Sequence, residues 1–185
     1  MARGFTQTPG LDYDETYSPT TKLSTIRTML ALGLQRGMRF FQMDIKRAYL
    51  NAPIEEKIFM EQPRGFETGG KDMVCKPEKS LYGLKQSGRN WFMCLSDHLA
   101  SIWFKSSTHD RCLWIAEVDN HPCGITVWVD DILYGSTKSD IKTWFSNQMS
   151  AKFTVGENDD LSWFLGINFK TTPTKIELSS AANVK

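Results

Sequence analysis

A chain of 185 residues with 41% hydrophobic and 12% aromatic content can bury the core of one ordinary domain, which excludes a disordered tail. Its 22 Lys and Arg offset 21 Asp and Glu, so the net charge of +1 excludes a globally basic nucleic-acid binder and any basic groove has to be local. Cys75, Cys94, Cys112 and Cys123 show no Cys-x-x-Cys spacing, His98, His109 and His121 stand at no zinc-ligand offset to them, and no apolar run approaches about 18 residues, so the chain is expected to be intracellular and soluble, with no membrane partner and with reduced, structural thiols.

In chain order, residues 1–20 carry the turn signals Pro9-Gly10 and Ser18-Pro19 and read as an extended arm. The spacing of Leu23, Ile26, Met29, Leu30 and Leu34 predicts an amphipathic helix over 22–36, ended by Gly37. Phe40-Phe41-Gln42-Met43-Asp44-Ile45 follows as a buried strand whose one charge, Asp44, stands at the C-terminal end, where ligands usually sit. A short helical turn over 46–50 stops at Asn51-Ala52-Pro53, and Lys57-Ile58-Phe59-Met60 has strand composition. Glu67-Thr68-Gly69-Gly70-Lys71 is a loop, and 73–77 resembles an edge strand because Pro77 would break a central one.

A basic segment comes next. Lys76, Lys79, Lys85 and Arg89 are countered by Glu78 alone, and Leu84, Trp91, Phe92, Leu95, Leu99 and Ile102 supply a helical apolar stripe. A solvated helix face and a phosphate-binding face both fit that pattern. Strands over 112–116 and 125–129 flank Asp119-Asn120, a helix is expected over 138–152, and 161–169 with 175–178 read as a final hairpin around Thr172-Pro173-Thr174.

Within this pattern Val127-Trp128-Val129-Asp130-Asp131-Ile132-Leu133-Tyr134-Gly135 joins two apolar strands through adjacent aspartates. Two carboxylates among Val, Trp and Ile repel one another and resist desolvation, so either the tip lies in water or a cation such as Mg²⁺ sits there. Asp44 at a buried strand end plus the Asp130-Asp131 hairpin is an inventory for two metal ions about 3.5 to 4 Å apart, which suits phosphoryl transfer. Lys85 and Arg89 add cations for phosphates.

The segments Gln42-Met43-Asp44-Ile45-Lys46-Arg47-Ala48-Tyr49-Leu50-Asn51, Ser80-Leu81-Tyr82-Gly83-Leu84-Lys85-Gln86 and Trp128-Val129-Asp130-Asp131-Ile132-Leu133 resemble the reverse transcriptases of Ty1/copia-type retrotransposons. Gly4-Phe5-Thr6-Gln7, Asp12-Tyr13-Asp14-Glu15-Thr16-Tyr17-Ser18-Pro19, Met60-Glu61-Gln62-Pro63-Arg64-Gly65-Phe66 and Trp163-Phe164-Leu165-Gly166-Ile167 extend the likeness in the same order. The resemblance implies an RNA-directed DNA polymerase that uses Mg²⁺ or Mn²⁺, with Asp44, Asp130 and Asp131 as catalytic metal ligands. It implies that Tyr49 screens the sugar 2′ position and that Tyr82-Gly83 lies over the incoming nucleotide. Lys85 and Arg89 would stand near the template strand, and Leu165-Gly166 would form the primer-gripping hairpin. Trp128 stands where the family usually has Tyr or Phe, and Gly88 where it has Pro.

The expected fold is α+β: a right-hand polymerase palm with part of the fingers, in which an antiparallel sheet carries Asp44 beside the Asp130 hairpin and the helices near 83–103 and 138–152 pack on one face. Residues 1–185 would be a single incomplete domain, with 1–41 and about 60–95 fingers-like, about 42–59 and 96–160 palm, and 161–185 the primer-grip hairpin and the start of the thumb at Asn183-Val184-Lys185. The fingertip strands would lie upstream of Met1, within a longer Pol polyprotein acting on template-primer and dNTPs, in the cytoplasm inside a virus-like particle. Two rivals stay open: an inert transposon remnant with weak nucleic-acid binding, and a metal-dependent phosphohydrolase using the same carboxylates.

Overall fold

The computed structural model describes residues 2–70 and 72–180, so the expected thumb entry at 183–185 lies outside the described residues. Ile26, Met29, Leu30 and Gly33 recur at helical spacing and become the buried stripe of helix α1, Leu23–Gln35. Gly37 follows at φ 72°, the left-handed conformation that commonly closes a helix. Next come strand β1, Arg39–Ile45, a 3-10 turn at Ala48–Asn51, the two-residue strands β2, Met60–Glu61, and β3, Val74–Cys75, and helix α2, Ser87–Ser101. The chain continues through β4, Lys105–Ser106, β5, Leu113–Val118, β6, His121–Trp128, β7, Asp131–Ser136, and helix α3, Ile141–Ser150. It closes with β8, Val155–Asp160, β9, Trp163–Phe164, β10, Ile167–Thr172, and β11, Lys175–Ser179. Among the described residues no helix is long and apolar enough to cross a membrane.

The elements fall into two units, Met1–Ser18 with Arg47–Leu95 and Pro19–Lys46 with Ser96–Lys185. In the first, β2 and β3 pair antiparallel. The strand expected over 57–60 is a correction: pairing begins only at Met60, and Phe59 stays 62% exposed, so strand composition there had no partner to bury against. The N-terminal arm is tied to the segment before α2. Buried Gln86 donates its amide to the Asp12 carbonyl and accepts from Gln7 Nε2, while Gln7 Oε1 accepts the Lys85 N–H. A Cβ on Gly4 would stand 1.8 Å from the Gly83 carbonyl, so only glycine fits that approach. The apolar stripe from 84 to 102 becomes helix only from Ser87, because Gly83 at φ 101° holds the preceding residues in turns.

The second unit is built on a six-stranded antiparallel sheet in the order β4-β5-β6-β7-β1-β8. Strand pleating places Phe40, Gln42 and Asp44 on one face and Phe41, Met43 and Ile45 on the other. Phe40 and Leu133 form a core cluster with Ile26, Met29 and Leu30 of α1 and with Leu161, Phe164 and Phe169. On the opposite face Phe41 stacks on Tyr134 at 5.4 Å, and Tyr134 meets Phe145 of α3 at 4.6 Å. His98 of α2 donates to the Gln148 carbonyl at 3.0 Å and sits edge-on to Phe153. Helix α3 and the end of α2, the two helices expected together, thus meet on this side, whereas α1 covers the other face.

Two further differences concern the end of the chain. The segment 161–169 is broken at Leu165-Gly166, so β9, β10 and β11 form a three-stranded meander instead of one hairpin. Strand β8, with the sequence Val155-Gly156-Glu157-Asn158-Asp159-Asp160, has Val155 as its one apolar side chain and no alternation, and its strand state comes from pairing with β1. The four cysteines are free, and burial pushes the Cys112 and Cys123 thiols up to about 12, which keeps them unreactive.

Candidate active site

Strands β1 and β7 deliver the carboxylates. Asp44 and Asp131 are Cα partners in the antiparallel register, so their side chains project from the same face at neighbouring positions. Trp128 pairs with Asp131, leaving Val129-Asp130 as a two-residue turn, and the Ile45 N–H donates to the Asp130 carbonyl at 3.0 Å. That bond ties the hairpin tip to the end of β1. Val129 takes φ 55°, a conformation that a β-branched residue adopts only under strain, and strain of this kind collects at functional sites.

Electrostatics mark the same place. Asp44 holds its proton more tightly than an ordinary aspartate, first because of burial and then because of the Asp130 charge, with Lys46 opposing and Glu157 adding to it. Asp131 is raised by burial, by Asp130 and by Asp44. A cavity of about 350 Å³ opens beside them, with Gln42, Asp44, Asp131, Glu157, Trp163 and Leu165 in its wall. Gln42 Oε1 accepts the Ser162 and Trp163 N–H groups, both at 3.1 Å, which fixes β9 over the end of β1. Leu165 and Gly166, at φ 50° and 77°, make the two-residue turn between β9 and β10 and line that cavity.

Among the described residues no three His, Cys, Asp or Glu side chains stand together as a preformed metal cage. The donor chemistry still fits a hard divalent cation. Asp44 and Asp131 share a cavity wall, both feel the Asp130 charge, and their repulsion is what a positive ion relieves.

The remaining predicted residues lie in the first unit. Tyr49 and Tyr82 are in ring contact, with centroids 4.5 Å apart. Gly83 occupies the turn already described, and Lys85 is exposed. Arg89 forms an ion pair with Glu15 at 2.8 Å, so its charge is already partly answered within the protein. Sequence reasoning passed over Glu157, and it placed Gln42 and Glu15 in family-like segments without giving either a role. Glu157 lies in a polar stretch without periodicity, Gln42 reads as one more strand residue, and Glu15 sits in an irregular arm, so only pairing in space shows what each does.

The whole chain, residues 1–185, matches the family model described as reverse transcriptase (RNA-dependent DNA polymerase). The chain is 36% identical over 180 residues to the retrovirus-related Pol polyprotein from transposon RE1 of Arabidopsis thaliana, covering 97% of this chain and 12% of that protein. It is 34% identical over 183 residues to the retrovirus-related Pol polyprotein from transposon TNT 1-94 of Nicotiana tabacum, covering 97% of this chain and 14% of that protein. It is 31% identical over 170 residues to the transposon Ty1-H Gag-Pol polyprotein of Saccharomyces cerevisiae, covering 86% of this chain and 9% of that protein. A solved structure of Candida albicans telomerase with a fragment of telomeric RNA covers 93% of this chain and 36% of that one at 11% identity and a TM-score of 0.47, too loose a likeness to bear on the fold. The chain spans a small part of the length of its curated relatives, and it belongs to the reverse transcriptase family of Ty1/copia-type retrotransposons.

Proposed function

We propose that this chain is the polymerising part of an RNA-directed DNA polymerase, adding deoxynucleotides to a primer 3′-OH. The observation that carries the proposal is the in-register opposition of Asp44 and Asp131 beside the tied Asp130 tip. Asp44, Asp130 and Asp131 would hold two Mg²⁺ or Mn²⁺ ions. When bound, such ions lower the pKa of a hydroxyl nucleophile and neutralise the leaving pyrophosphate.

The protein's own residues do the positioning. The β1–β7 register fixes two of the carboxylates, and the Ile45 bond to the Asp130 carbonyl fixes the third residue. The Leu165-Gly166 turn, held down through Gln42, would support the primer end in the cavity that Asp44 and Asp131 line. In this reading about 42–59 and 96–160 act as the palm, and 1–41 with about 60–95 as part of the fingers. Tyr49, Tyr82 and Gly83 would contact the incoming dNTP, with Lys85 and Arg89 on template-primer phosphates. The rest of a Pol polyprotein would supply further contacts.

The test is primer extension on a primed RNA template with Mg²⁺, alongside phosphate release from the same dNTPs. Extension that disappears in Asp130→Asn is expected, since removing one of three charges weakens a hard-cation site whose attraction is mainly electrostatic. Phosphate release without extension would favour a phosphohydrolase instead.

A further inference from the structure

Strand β8 meets β1 through an irregularity centred on Asp44. Met43 pairs with Asn158 and Ile45 with Val155, so Gly156 and Glu157 together stand opposite the single residue Asp44. Two residues against one is the count of a β-bulge, which bends a strand and re-aims a side chain. Gly156 has a close neighbour. A Cβ built on it would lie 2.4 Å from Asp44 Oδ2, 3.3 Å from the Asp44 carboxyl carbon and 3.3 Å from the Asp44 carbonyl oxygen.

The Asp44 carboxylate thus lies against bare backbone. Gly156 has no φ in the left-handed region, so its backbone accepts any L residue and turn geometry does not call for glycine. Within a strand a glycine also carries an entropic cost of roughly 0.5–1 kcal/mol relative to alanine. Room for the Asp44 carboxylate is the reason that remains. A methyl group at 156 collides most closely with a terminal side-chain atom, so the fold can absorb it by turning that side chain while the carboxylate loses its place.

We propose that Gly156 is a positioning residue for Asp44, and that the missing side chain in the β8 bulge sets the direction in which Asp44 presents its carboxylate to the cavity shared with Asp131 and Glu157. This rests on the reading of Asp44 as a metal ligand. Glu157, the other bulge residue, lines the same cavity, so the bulge places backbone on one side of Asp44 and a carboxylate in the wall beside it.

The experiment titrates Mn²⁺ by electron paramagnetic resonance into the unsubstituted chain, Gly156→Ala, Gly124→Ala and Asp44→Asn, with thermal unfolding of each in chelator. Gly124 is the control, because a Cβ there would meet only the flexible Met29 side chain, at 3.2 Å. Gly156→Ala is expected to weaken Mn²⁺ binding about tenfold, the scale on which groups that orient metal ligands act, with an unchanged Tm. Gly124→Ala should keep the original affinity. Full Mn²⁺ affinity in Gly156→Ala would overturn the proposal, and so would a large fall in its Tm, which would make the glycine a packing residue. Unchanged affinity in Asp44→Asn would overturn the metal reading and this proposal together, and is distinguishable from failure of Gly156 alone.

Discussion

Asp44 of β1 and Asp131 of β7 are paired Cα to Cα across one antiparallel register, with both side chains on the same face of the sheet. Like charges directly opposed destabilise a sheet. Burial, and after it the neighbouring aspartates, raises the proton affinity of both groups. Their repulsion costs the metal-free fold, and a divalent cation between them would relieve it.

The metal-free chain should therefore gain stability when one of them is neutralised. Asp131→Asn is expected to add about 1 kcal/mol in chelator at neutral pH, seen as a Tm increase of about 2–4 °C. The pH dependence has a definite sign. Raised folded proton affinities mean that the folded state binds more protons from 3.8 upward to the raised values, so metal-free stability falls as pH rises through that window. Asp131→Asn should flatten that decline, and an equal or lower Tm than the unsubstituted chain would count against the repulsion.

Asp110 should behave in the opposite way. It is 8% exposed and accepts from Thr25 Oγ1 at 2.6 Å, the Lys22 N–H at 3.1 Å and the Cys112 N–H at 2.9 Å, capping α1 from a distant part of the chain. Burial pushes its pKa up, but those three donors outweigh burial and hold it below 3.8. Its contribution is present above 3.8 and lost as pH falls through the lowered folded value. Urea unfolding at neutral pH should show Asp110→Ala costing about 2–3 kcal/mol, with a gap that narrows in acid.

Salt dependence separates the cations of the first unit. Lys85 is exposed, whereas Arg89 is paired with Glu15 at 2.8 Å. For a template-primer duplex measured by fluorescence anisotropy between about 50 and 200 mM salt, Lys85→Ala should lower the slope of log affinity on log salt by about 1. Arg89→Ala should lower it by less, and Glu15→Ala should steepen it by releasing Arg89. Identical slopes in all three variants would assign these residues to a solvated face.

Helix α1, strand β1 and the Asp130-Asp131 hairpin were legible because each carries a period or a lone charge that local chemistry explains. Leu23 to Leu34 repeats at helical spacing, and Asp44 interrupts an otherwise uncharged strand. The face that α1 covers was not legible, since spacing tells which side chains are buried and not which sheet face receives them. Strand β8 was invisible for a different reason. Its Gly-Glu-Asn-Asp-Asp run has no intrinsic strand preference and is ordered by β1, so the bulge that seats Asp44 exists only through a long-range pairing. Spacing alone reads 161–169 as one strand, because leucine at φ 50° is a choice that turn chemistry disfavours, and only the resemblance pointed to a hairpin at Leu165-Gly166.

If Asp44, Asp130 and Asp131 hold divalent cations together, Mn²⁺ titration of the unsubstituted chain against Asp130→Asn has to show it. The substitution removes one of the three charges from the tied hairpin tip while leaving the β1–β7 register intact. Ligand charge count tunes hard-cation sites over decades of affinity, so a loss of at least about tenfold is predicted, with the fold retained by circular dichroism. The same Mn²⁺ affinity in Asp130→Asn as in the unsubstituted chain would contradict the assignment.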